Sequence, residues 1–129
     1  MTILIFKPSR CEQDKNLEEF IAFGKKQFSH QKRQYTWNDN VWAGLGTFIK
    51  FNSKYWENDN SMSAGFIDFA KAYIIYLRGL TKKKSLKREM IALKVIEASL
   101  IKIRGKACIT DCNAMVFNFA INIMQKNIQ

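Results

Sequence analysis

From Ser63 to the end of the chain, apolar residues return every three to four positions in three successive stretches, separated by two links of six residues. That spacing is the period of an α-helix with one buried face. The first stretch carries Phe66, Phe69, Ala70, Tyr73 and Leu77 and predicts a helix over 63–78. Gly79 stands where a left-handed C′ residue is wanted, with Leu80 placed to pack back. The second carries Leu86, Met90, Leu93, Ile96, Leu100 and Ile103. It predicts a helix with Ser85 as N-cap, running to Arg104 and stopped by Gly105. The third carries Met115, Val116, Phe119, Ala120, Ile123 and Met124, and its start is expected at Thr110 or Asp111. Links this short favour a compact bundle of antiparallel neighbours.

A fourth helical pattern lies upstream. Ser9 and Glu12 form a capping-box pair. Leu17, Phe20, Ile21, Gly24 and Phe28 make the stripe, and the end is expected near Ser29. Acidic residues come early and Lys25 and Lys26 late, which suits the helix dipole. Between 31 and 60 the periodicity weakens. Tyr35, Trp37, Trp42, Phe48, Phe51, Tyr55 and Trp56 supply bulk, while Gly44 and Gly46 discourage a long helix. Short strands are expected over 3–6 and 47–51. The fold class that follows is mainly α: a bundle of about four helices with a small mixed α/β N-terminal unit. The polar run 57–61 is the expected boundary, dividing a unit over 1–60 from a helical domain over 61–129.

Charge is concentrated in the helical part. Residues 71–106 hold eleven Lys and Arg against Glu89 and Glu97, a net +9 in a chain whose total is +10. A folded element with a concentrated positive face most often meets a polyanion, and the phosphate backbone is the commonest one. A hydrophobic fraction of 47% with a single Pro argues against disorder. No apolar run is long enough to span a bilayer. The apolar start lacks a basic leader and a cleavage site, so it does not read as a signal peptide. Three cysteines make a poor disulfide framework, and a reducing cytoplasm is the expected compartment.

The order of these segments resembles a known arrangement. Phe66-Ile-Asp-Phe-Ala-Lys-Ala-Tyr-Ile-Ile-Tyr-Leu-Arg-Gly-Leu80 leads through the basic residues 82–88 to Ile91-Ala-Leu-Lys-Val-Ile-Glu-Ala-Ser-Leu100, then to Ile109-Thr-Asp-Cys112 and a last apolar helix. This is similar to the N-terminal and core-binding region of phage-type integrases, the tyrosine recombinases, over about half the chain. The resemblance implies a SAM-like helical domain that clamps duplex DNA opposite a catalytic domain. It rests on ordered helices and a basic linker, not on a reactive motif. The family's catalytic domain would not fit after Gln129, so the chain reads as a fragment or remnant of an integrase. It is expected to bind DNA in the nucleoid and not to be an enzyme by itself.

The residues expected to meet DNA phosphates are Lys82, Lys83, Lys84, Lys87, Arg88 and Lys94. The first five fall in the link and first turn of the third helix, where backbone N–H groups can help. Lys87 and Lys94 lie about 20° apart around a helix and could track along a groove. Helical periodicity would equally put lysines on any solvent face.

Other spellings carry less. His30-Gln-Lys-Arg33 matches the His-x-x-Arg of recombinase active sites, but a cation near a helix C-terminus explains it. Cys108 and Cys112 lack the further ligands a zinc site needs, so buried small hydrophobes are expected, with no metal and no cofactor. Tyr35, Trp37, Trp42, Tyr55 and Trp56 could stack on single-stranded bases but more often fill a core. Tyr73 shares an apolar stripe with Phe69 and Leu77, which leaves a nucleophile reading unsupported. The rival to DNA binding is a protein-interaction or adaptor module whose basic face meets an acidic partner. A peripheral membrane role on anionic lipids is weakened by the absence of an exposed apolar stripe beside the basic block.

Overall fold

The computed structural model describes residues 10–30, 34–51, 61–80 and 85–128. It is mainly helical. The order is α1 (Arg10–Ser29), β1 (Val41–Trp42), β2 (Gly46–Thr47), α2 (Ala64–Leu80), α3 (Lys87–Arg104), a 3-10 turn (Ile109–Asp111) and α4 (Ala114–Ile128). The strands pair antiparallel, Val41 opposite Thr47 and Trp42 opposite Gly46. Helix α1 packs chiefly on α2, and α3 chiefly on α4.

Helix ends show which local signals prevailed. Gly105 takes the left-handed conformation at φ 83°, and its N–H donates to the Ile101 carbonyl at 3.0 Å, as a C-terminal glycine should. Gly79 does not: α2 runs through it to Leu80. The cost of a glycine inside a helix is about 1 kcal/mol, which packing elsewhere outweighs. Ser85 is not the N-cap of α3. Leu86 occupies that position and is buried, while the Ser85 hydroxyl accepts the Lys87 N–H at 3.3 Å. Burying a leucine fixes this helix start more strongly than a hydroxyl cap would. Helix α4 begins later than Thr110 or Asp111, because residues 109–111 close a 3-10 turn first. Asn113 then caps α4, its side-chain oxygen accepting the Val116 N–H at 3.0 Å.

The expected strand at 47–51 is reduced to Gly46–Thr47 plus an isolated bridge between Ile49 and Ser61. The expected strand at 3–6 and the Ser9 cap lie outside the described residues, as does the connector at 57–60. The hydrophobic core runs across that connector. Trp42, Leu45 and Phe48 belong to the same cluster as Phe66, Ile74, Leu93, Leu100 and Val116. Gly46 lets the hairpin approach α3, since a Cβ there would meet the Met90 sulfur at 2.6 Å.

Two charged residues are buried with the core. Glu97 of α3 is 1% exposed and accepts the backbone N–H of Ser63, whose carbonyl receives the first N–H groups of α2 from Phe66 and Ile67. The carboxylate thus ties the start of α2 to the middle of α3. Burial pushes its pKa up, opposed by the Ser63 hydrogen bonds and by the Lys50 charge. The folded chain therefore holds this proton more tightly than the unfolded chain. The associated stability is full below the ordinary carboxylate range and is lost as pH rises through the raised folded value. Glu97→Gln keeps an acceptor for Ser63 without the charge. Urea denaturation at a series of pH values should show the parent losing stability over that window and the variant losing less. Identical losses in both would assign the titration to another group.

Candidate nucleic-acid interface

Helix α3 presents the described part of the basic block. Its buried side is set by Met90, Leu93, Glu97 and Leu100, with Val95 and Ser99 also covered. Lys87, Arg88, Lys102 and Arg104 are exposed, as is Lys106 beyond the helix. Lysine stems reach outward from a packed helix at little cost, because the charged head stays in water. Ile91, 48% exposed, and Ile101, 37% exposed, lie among these cations.

The expected site residues divide into three groups. Lys87 and Arg88 stand in the first turn of α3 and are exposed. Lys94 does not share their surroundings. It is half-buried, its Nζ donates to Thr47 Oγ1 on β2 at 3.0 Å, and burial lowers its pKa. Its charge is committed to the hairpin rather than to an open groove. Lys82, Lys83 and Lys84 lie outside the described residues.

Lys71 is counted in the block by sequence but is only 2% exposed. Its ammonium donates to the Trp37 carbonyl and lies 5.6 Å from the Trp42 ring and 5.5 Å from the Phe48 ring. Burial lowers its pKa, opposed by Asp68 and Asp39. Lys71 is a core residue, held by a carbonyl and by ring faces. A sequence signal for this was present: Lys71 sits between Ala70 and Ala72 and one turn before Ile74 and Ile75, and all four of these are buried.

Of the aromatic set, Trp42 fills the core as expected, and Tyr35 and Trp37 are partly buried against it. Trp42 is fully buried, with Phe28 and Phe48 each 4.8 Å away and Tyr35 stacked at 5.6 Å. Trp37 donates from its indole nitrogen to Asp68 at 2.9 Å. Tyr55 and Trp56 lie outside the described residues. Tyr73 packs near Phe69 at 5.9 Å. His30 is exposed just past α1, and its backbone N–H donates to the Gln27 carbonyl. Cys108 and Cys112 flank the 3-10 turn and are both half-buried, less covered than the buried hydrophobes expected. Burial raises the Cys112 thiol pKa.

Phe69, Tyr73, Ala92, Leu93, Ile96 and Ile109 line an apolar hollow with Glu89. Among the described residues no three His, Cys, Asp or Glu side chains gather as a metal site. No described helix is long and apolar enough to cross a membrane. Comparison with known proteins gives no match to a family model, to a curated protein or to a solved structure.

Proposed function

We propose that this chain is a duplex-DNA-binding helical module that holds its partner chiefly through phosphates. The observation that carries the reading is the set of exposed cations Lys87, Arg88 and Lys102 on α3, within a block over 71–106 that holds +9 of the chain's net +10. The resemblance to the core-binding region of tyrosine recombinases points the same way, and on that reading the module serves an integrase as its DNA clamp. Lys82, Lys83 and Lys84 lie a few residues before α3 in the sequence and belong to the same basic block.

Counterion release gives the test. If residues 82–88 neutralise about four phosphates, log K against log salt should slope by roughly −3.6. Replacing Lys83, Lys84 and Lys87 together with Ala should weaken binding on every duplex tested, because phosphate contacts carry no base information. The far-UV spectrum should be unchanged. Fluorescence anisotropy showing no duplex binding at low salt would remove the proposal.

A second reading has its own support. Ile91, Ile101, Met115 and Phe117 are large apolar side chains left exposed on α3 and α4. Such residues suit a protein partner, and the cations beside Ile91 would favour an acidic one. A triple lysine variant that binds DNA as well as the parent would move this adaptor reading ahead.

A further inference from the structure

The two ends of α3 differ from its middle. At 100° per residue, Lys102 falls about 60° around the helix from Lys87, between Lys87 and Arg88. All three are exposed. Fifteen residues separate Lys87 from Lys102, a rise of about 22 Å. Between them the same strip holds Ile91, Ala98 and Val95, and Val95, about 80° from Lys87, is buried. Lys94, at the edge of the strip beside Lys87, is held by Thr47. Arg104 is also exposed but falls roughly 150° or more from both Lys102 and Arg88, on another side of the helix.

We propose that α3 braces duplex DNA at two points, Lys87 and Arg88 on one phosphate row and Lys102 on a second, with an uncharged midsection that reads no base. The inference rests on the DNA-binding reading and says how α3 would engage the duplex. A helix span of about 22 Å laid across a major groove about 12 Å wide overhangs it by about 5 Å at each end. A lysine stem spans that overhang. Across a minor groove about 6 Å wide the overhang grows to about 8 Å at each end, beyond easy reach. Ile91 and Ala98 have no side-chain donor or acceptor for base edges, so apart from apolar contact with a thymine methyl the brace tolerates sequence.

Single-site variants separate strip from bulk charge. Lys102→Ala should reduce the magnitude of the salt slope on duplex DNA by about 0.9, and Lys87→Ala with Arg88→Ala by about 1.8. Arg104→Ala, two residues from Lys102 and equal in charge, should leave the slope unchanged. Affinities for two duplexes of unrelated sequence should agree within about threefold. Equal losses from Lys102→Ala and Arg104→Ala would overturn the brace in favour of diffuse charge attraction. Loss from the Lys87 and Arg88 pair alone would overturn the second contact while leaving DNA binding in place. A parent chain that binds no duplex would overturn the DNA reading and the brace together.

Discussion

Trp42→Ala should lower the stability of the fold by about 3–5 kcal/mol, the range for deleting a large buried aromatic. Trp42 is fully buried at the point where the hairpin meets the helices. Its ring touches or stacks on Phe28, Tyr35, Trp37 and Phe48, with centroids 4.8 to 5.6 Å away. Aromatic pairs of this kind contribute about 0.5–1.5 kcal/mol beyond the area they bury. Its indole nitrogen donates to the Thr36 carbonyl at 3.0 Å. The Lys71 ammonium also loses one of the two ring faces it lies against. Truncation therefore leaves a cavity and a less compensated buried cation, while the Thr36 carbonyl keeps its other donor, the Asp39 N–H at 3.1 Å. In urea denaturation the midpoint should fall with little change in slope, since the surface exposed on unfolding changes little. A loss below about 1 kcal/mol, far short of the range for a buried aromatic, would mean that residues 34–51 are not part of the cooperative core.

The helical frame was legible because its signal is redundant. Each apolar stripe repeats over several turns, so one misread terminus does not shift the rest. Single-residue signals fared differently. Gly79 and Gly105 both follow a basic last turn, yet only Gly105 adopts positive φ. A glycine suits a helix stop and is tolerated inside a helix at a small cost, so the outcome depends on packing beyond the local sequence.

Charge misled in a consistent way. Lys71, Lys94 and Glu97 counted as surface charge in the sequence, but Lys71 and Glu97 are core residues and Lys94 leans on the hairpin. Glu97 could have been suspected, since it continues the spacing Met90, Leu93, Leu100 along the buried side of α3. Its partner could not, because the Ser63 N–H is a backbone group 34 residues away in sequence. The exposed cations Lys87 and Arg88 were legible from sequence. Lys102 does not stand out there, because only the structure shows that Lys94, the cation nearer to Lys87, is held by the hairpin.

Gly24→Ala should destabilise the fold, although the same change in an open helix stabilises it. Replacing an interior helical glycine by alanine ordinarily gains about 0.8–1.0 kcal/mol of helix propensity. Position 24 lies where α1 crosses α2. A Cβ built there would come within 2.6 Å of the Ala72 Cβ and 2.7 Å of the Ala72 Cα. Both are too close for carbon atoms, which prefer to sit about 3.5–4.0 Å apart. The Ala72 Cα is backbone and cannot rotate away, so the two helices must separate. Overpacking of this kind costs about 1–3 kcal/mol, which exceeds the propensity gain over most of its range. The separation would also loosen Phe20, a buried α1 residue whose ring meets Phe69 at 5.9 Å and Tyr76 at 5.8 Å on α2. Adding Ala72→Gly removes the clash between the two side chains but leaves the clash with the α2 backbone, so the double variant should recover only part of the loss. A larger side chain, as in Gly24→Leu, should cost more than alanine. The order of melting temperatures should be parent, double variant, alanine, leucine, once the propensity cost of a second glycine at position 72 is subtracted. An alanine variant that melts above the parent would show that α1 and α2 do not approach this closely in solution.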